Sequence, residues 1–167
     1  MSVAIRRARP AEAAAVSALL GEVWHATHDA ELGRNKVAEI TAKWHAPELL
    51  RAQIEDERKC FLIAEADGGR LVGHAMSWLD DEATVNLLRL YVLPAWQGRG
   101  LGRRLLAEAV LPYPAGCALR LEVQAQNAAA IRFYEAQGLR LVGDTGAHGG
   151  LTDIPALIME RPLPLAD

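Results

Sequence analysis

No stretch of the 167-residue sequence is long and apolar enough to match the roughly 18 residues of a membrane span. The opening "MSVAIRRARP" also lacks the apolar core of a secretory signal. The expectation is a soluble, cytoplasmic protein with no membrane partner. Cysteine is nearly missing too. Cys60 and Cys117 are the only two, each set in an apolar run ("KCFLIAEA", "GCALRLEV"), so both are expected to be buried, reduced thiols, with a disulfide or metal pair as the minor reading. Positive charge is not in excess. Lysine and arginine number 18 against 21 acidic residues, a net charge of -3, which argues against a nucleic-acid partner because displacing counterions from phosphates takes a broad cationic field. The chain has no internal repeat, low-complexity block or Pro/Gly/Ser-rich linker, and the working division is one domain spanning residues 1–167.

What is present reads as alternating helix and strand patterns. "VAIRRA" alternates like a short strand, and Pro10 opens the helical run "AEAAAVSALLGEVWHATH". A second helical region, "NKVAEITAKW" with "PELLRAQIEDE", is broken near Pro47. The period then becomes two: "CFLIAEA", the turn "DGG", "RLVGHAMSWL" and "TVNLLRLYVL" read as three strands joined by hairpins. A helix from Arg99 to about Leu111, the strand "CALRLEV", a helix opening at Asn127 and two strands around "LRLVGDT" and "ALIMERPL" complete the chain. The order β-α-α-β-β-β-α-β-α-β-β predicts an α/β fold, a mixed central sheet flanked by helices.

The chemistry concentrates between the third hairpin strand and the helix after it. Gln97-Gly98-Arg99-Gly100-Leu101-Gly102 is not a dinucleotide fingerprint, since Arg103 stands where G-x-G-x-x-G needs its last glycine. It is not a P-loop either, because Gly-Lys-Ser/Thr is absent. Glycines ahead of a helix let successive backbone N–H groups point into one concavity, and the helix start adds partial positive charge. That geometry suits a diphosphate, and Arg99, Arg103 and Arg104 add cationic charge nearby. A tight turn with solvated arginines is the plainer reading of the same residues.

These six residues resemble the Q/R-x-x-G-x-G/A signature of the GCN5-related N-acetyltransferases, preceded by the strand "LLRLYVLP" and followed by an amphipathic helix. "LEVQAQNAAAIRFYEAQGLRLVG" is similar to the family's later strand, helix and tyrosine block, with Leu139 where many relatives carry phenylalanine. The resemblance implies a single-domain fold of that family that uses acetyl-CoA as co-substrate and acetylates a primary amine, with a small molecule or polyamine favoured as acceptor. A protein N-terminal or lysine acetyltransferase and an acyl-CoA sensor without turnover are the alternatives. It implies that the diphosphate lies on Gln97, Gly98, Arg99, Gly100, Leu101, Gly102 and Arg103. The pantetheine arm would pair with Leu90, Tyr91 and Val92, and the Leu90 N–H would face the thioester oxygen. Tyr134 matches the family's general acid, and Asn127 would cap its helix and touch the cofactor.

The base is less defined by sequence. An acceptor ammonium with a pKa of about 10.4 must lose a proton before it attacks. Glu122 in "LRLEVQ" is the candidate, directly or through water, and an exposed strand carboxylate is its plainer reading. Asn86 stands where some relatives place a glutamate, and an amide cannot take a proton. His28, Asp29 and Trp78 are candidate walls of the acceptor pocket. His25-x-x-His28-Asp29 lacks a third and fourth ligand at metal spacing, so no metal is expected. Asp80, Asp81 and Glu82 read as a solvated hairpin tip, Trp24 and Trp44 as core, and His74 and His148 are individually uninformative. A shorter resemblance to polyamine acetyltransferases of the PaiA type rests on "VGDTGAHGGLTDIPALIM" and "WHATHDAELG". The assembly allowed for is a homodimer.

Overall fold

The computed structural model describes residues 2–145 and 155–165. His148 and the whole "GAHGGLTD" block lie outside the described residues. The elements are β1 (Val3–Arg7), α1 (Ala13–Leu32), α2 (Arg34–Trp44), α3 (Pro47–Glu55), β2 (Lys59–Ala66), β3 (Leu71–Leu79), β4 (Thr84–Val92), α4 (Leu101–Val110), β5 (Ala118–Gln124), α5 (Ala128–Ala136), β6 (Arg140–Asp144) and β7 (Ala156–Pro162). The strands form a seven-stranded mixed sheet in the order β1-β2-β3-β4-β5-β7-β6. The expected α/β order holds, with one refinement. The region broken at Pro47 is two separate helices, because Ala46 is held extended (ψ 135°) and Pro47 takes the first position of α3, where its missing N–H costs nothing.

The chain divides into two compact units, Met1–Met76 with Arg89–Pro112, and Ser77–Leu88 with Tyr113–Asp167. In the first, β1 pairs antiparallel with β2 from Val3↔Ala66 to Arg7↔Leu62. Arg6 on β1 is clamped between Glu12 at 2.7 Å and Glu65 at 2.6 Å. The hydrogen bond from Arg6 holds the Glu12 carboxyl down at about 2. Helix α1 packs on α2 and α3 through Val16, Leu19, Leu20, Val23 and Trp24, a stripe with the three-and-four spacing of one helix face. Gly33 alone joins α1 to α2, and its φ of 82° with ψ of 146° is a conformation that glycine adopts without strain. Helix α4 packs beside β2 and buries Leu101, Leu105, Leu106 and Ala109. Burying one such leucine is worth about 1.5–3 kcal/mol.

In the second unit, β4 and β5 run parallel over Thr84–Leu87 and Ala118–Leu121. Strand β7 then inserts antiparallel between β5 and β6, from Ala118↔Pro162 to Gln124↔Ala156 on one side. Gly116 is required where it stands, since a Cβ there would lie 2.7 Å from Val85 Cγ2. The side chains of Arg120 and Glu160, directly opposite in the ladder, pair at 2.8 Å. Cys60 is buried as expected, but Cys117 is exposed, which corrects the sequence reading. It precedes β5, where its N–H bonds Ala83 O at 2.7 Å while the thiol turns back toward Ala115 O.

Candidate active site

The glycine turn follows β4 through a short 3-10 turn at Pro94–Trp96. Gly98 (φ 73°) and Gly100 (φ 78°) both occupy the left-handed region, so a β-carbon at either position is strained. A Cβ built at Gly98 or Gly100 meets no atom within 4 Å. The protein therefore leaves open space over both glycines. None of the described hydrogen bonds takes the backbone N–H of Gly98, Arg99 or Gly100. Gly100 is the N-cap of α4, so the helix start opens onto the same turn. The Gln97 side chain fixes the turn to the strand, donating from Nε2 to Val92 O at 2.9 Å.

The arginines separate. Arg99 lies over the Trp96 ring at 5.3 Å, and Arg103 is exposed on the first turn of α4. Arg104 does not serve the turn as its place in the sequence suggests. Its guanidinium donates to Val3 O at 3.1 Å, which ties it to β1.

Leu90, Tyr91 and Val92 form the end of β4, and the parallel ladder with β5 stops at Leu87, before them. Alternation sends Arg89 and Tyr91 to one face and Leu88 and Leu90 to the other. The Tyr91 hydroxyl accepts from Trp24 Nε1 at 3.2 Å. Burial pushes the Tyr91 phenol up, which keeps it protonated. Trp24 in turn stacks on His28, with ring centroids 4.5 Å apart, and meets Trp44 at 5.7 Å and His45 at 5.9 Å. Trp24 of α1, backed by Trp44 and His45 at the end of α2, thus lies on the Tyr91 face of β4.

His28 and Asp29 lie inside α1, not in a loop after it. Only His28 is buried with Trp24; Asp29 accepts from His25 Nδ1 at 2.7 Å and sits 3.9 Å from Arg34. That carboxylate is already engaged from two sides. Among the described residues no three histidine, cysteine, aspartate or glutamate side chains come together as a metal site.

The remaining candidates belong to the second unit. Asn127 caps α5 as its sequence position suggests, its Oδ1 accepting from Ala130 N at 3.2 Å. Tyr134 follows two turns later and is buried, with Phe133 edge-on at 5.3 Å. Glu122 points to the exposed side of β5, while Leu121 and Val123 flank it on the buried side. Trp78 is half-buried near the end of β3. Asp80 is more than a solvated tip. It accepts from the Glu82 and Thr84 N–H groups and from Asn86 Nδ2, and the Asn86 bond leads the effects that hold its carboxyl below the ordinary range.

Sequence reasoning missed Arg89. It is 6% exposed, its Nη2 donates to Gln53 Oε1 and approaches Met76 Sδ at 3.2 Å, and its Nε has no partner. The signal was available: a single charge inside "LLRLYVL", apolar on both faces, has no solvent side to occupy.

With this geometry in view, the comparisons converge. The profile of the acetyltransferase (GNAT) family matches residues 24–139, and the chain belongs to that family. An uncharacterized N-acetyltransferase of Mycobacterium tuberculosis is 36% identical over 101 residues, covering 57% of this chain and 64% of that protein. The N-alpha-acetyltransferase RimI of the same organism is 39% identical over 102 residues, covering 59% of this chain and 64% of its own length. The match therefore spans just under two thirds of either relative. Among solved structures, the PaiA N-acetyltransferase of Thermoplasma acidophilum in complex with coenzyme A superposes with a TM-score of 0.84 at 24% identity, covering 98% of this chain and all of that one. At that identity the likeness is one of fold. No helix among the described residues is long and apolar enough to cross a membrane.

Proposed function

We propose that residues 1–167 act as one acetyltransferase domain that moves the acetyl group of acetyl-CoA to the primary amine of a small molecule. The observation that carries this reading is the turn at Gln97–Arg103, where two left-handed glycines, unused N–H groups and a helix start face open space. An anionic diphosphate is the ligand such a turn suits. The end of β4 supplies the second element. Beyond Leu87 its edge has no β5 ladder partner among the described residues, so the pantetheine amides have backbone groups of Leu90, Tyr91 and Val92 to pair with. In this reading the Leu90 N–H donates to the thioester oxygen as it gains charge.

The reaction requires the amine nitrogen to attack the thioester carbon, the C–S bond to break, one proton to leave nitrogen and one to reach sulfur. Glu122, exposed on β5, takes the ammonium proton directly or through water. Tyr134 supplies the proton to the departing thiolate. Asn127 orients the helix that carries it. Tyr134→Phe is expected to leave acetyl-CoA affinity nearly intact and to lower kcat about 10- to 1000-fold, the range for one proton donor. Wild-type turnover in that variant would remove Tyr134 from the mechanism.

A second reading, acetylation of a peptide N-terminus, is favoured by the likeness to RimI. Polyamines, favoured by the PaiA-like block, have less support from charge: Asp29 is held by His25 and Arg34, and Asp80 by its own hairpin. Thiol release from acetyl-CoA with small amines, spermidine, lysine peptides and N-terminal peptides at equal concentration separates these readings. No release with any of them, by a protein that still binds acetyl-CoA, would favour a sensor and overturn the transferase.

A further inference from the structure

Arg89 is a buried cation without a counter-ion. No carboxylate among the described residues pairs with it, and its Nε–H is unsatisfied. A guanidinium taken out of water needs an anion or a full set of acceptors; Gln53, Met76 and the Phe61 ring, whose centroid lies 5.7 Å from the guanidinium carbon, give it contacts but no counter-charge. The surroundings add no second charge. Burial, reinforced by Arg89, pushes the His45 imidazole down to about 3 and that of His74 well below its ordinary value. His74 donates from Nδ1 to Leu62 O at 2.7 Å, so its orphaned Nε2 is a lone pair. Arg89 remains protonated at neutral pH although burial lowers it to about 10.

Its position gives that charge a use. Arg89 immediately precedes Leu90 on β4 and shares a face with Tyr91, whose hydroxyl meets Trp24 of α1, the indole on which His28 and, from the end of α2, Trp44 and His45 converge. Gln53 is half-buried, and its amide oxygen rests on Nη2 where a carboxylate oxygen would sit. A neutral amide holds that position weakly; a carboxylate supplies the missing charge and a second oxygen for Nε–H.

We infer that Arg89, with Gln53 as the group an entering anion displaces, is the acceptor's anion subsite, and that the preferred acceptor is a small primary amine carrying a carboxylate, such as an amino acid. The inference rests on the acetyltransferase reading. It predicts that amino acids outperform both their carboxamides and polyamines.

The test uses the full chain and acetyl-CoA, with γ-aminobutyrate, β-alanine and leucine each compared with its carboxamide by thiol release. The acid-to-amide ratio of kcat/KM is the readout. It is expected to exceed one in the wild type and to fall by at least about tenfold in Arg89→Met, the loss of a charge-assisted contact, with acetyl-CoA affinity unchanged. Gln53→Glu gives an independent arm that keeps the buried arginine. Its fixed carboxylate should neutralise Arg89, raise the melting temperature and erase the preference for acids. A ratio that survives in Gln53→Glu, or in a folded Arg89→Met, overturns the subsite, as does a wild type that prefers the carboxamides or spermidine. Transfer to the carboxamides alone would leave the acetyltransferase reading standing while removing this one; transfer to no amine would remove both.

Discussion

The turn at Gln97–Arg103 and the cluster around Arg89 both place guanidinium groups near the end of β4, and they differ in solvation. Arg99 and Arg103 keep their heads in water, where an unpaired charge costs little and a bound anion gains little from any one of them. Affinity at the turn must come from backbone: N–H groups fixed by two left-handed glycines. Arg89 is the reverse. Its charge is desolvated, so each atom that contacts it matters, and the two neighbouring histidines are forced neutral. The contrast suggests a division of labour, with a geometric, sequence-tolerant cradle for the cofactor and an electrostatic, selective point for the acceptor.

The largest effect expected on this contrast concerns stability and pH. His45 and His74 have folded-state values far below the unfolded value near 6.5, so unfolding takes up protons as the pH falls below that value. The stability they permit is present above pH about 6.5 and is lost as the pH falls below it, for His45 by about 2 kcal/mol between pH 7 and 5, with His74 acting in the same direction. Denaturant unfolding at those two pH values measures it, and His74→Gln should remove its share of the slope. A flat profile would mean that the cluster is solvated and the contrast is wrong.

The next effect is on the cradle. Gly100→Val adds a side chain where the protein itself leaves room, so beyond the roughly 1–2 kcal/mol of left-handed strain its consequence falls on the ligand. The acetyl-CoA dissociation constant should rise at least tenfold, about 1.4 kcal/mol. An unchanged constant in a folded variant would deny the turn its role. The smallest effect is Arg99→Ala, expected to weaken acetyl-CoA only about two- to fivefold at low salt and less at high salt, as for a solvated charge. A loss as large as that of Gly100→Val would mean that side-chain charge, not backbone, dominates there.

The two regions were unequally legible in the sequence. The turn could be read because its requirement is local: glycines at fixed offsets between a strand and a helix impose their geometry whatever surrounds them. Asn127 was readable as a cap for the same reason. The apolar run around Arg89 signalled its burial but not its partner, since "LLRLYV" does not say that α3 brings Gln53 to it; the burial of His74 and the exposure of Cys117 were not legible, because they depend on which elements lie across the strand. Asp29 read as a wall of the acceptor pocket and Asp80 as a solvated tip until His25 and the hairpin amides were found on them. Arg104 looked like part of the turn until its guanidinium was found on Val3 O of β1.

Calorimetric titration with acetyl-CoA, acetyl-pantetheine, ATP and NAD tests the central claim most directly, because these ligands separate the diphosphate from the rest of the cofactor. The account predicts saturable binding of acetyl-CoA at one site, at least about tenfold weaker binding of acetyl-pantetheine, and no comparable binding of ATP or NAD, since each would satisfy only one part of the turn and strand. Equal affinity for acetyl-pantetheine and acetyl-CoA, or tighter binding of ATP or NAD, would contradict it.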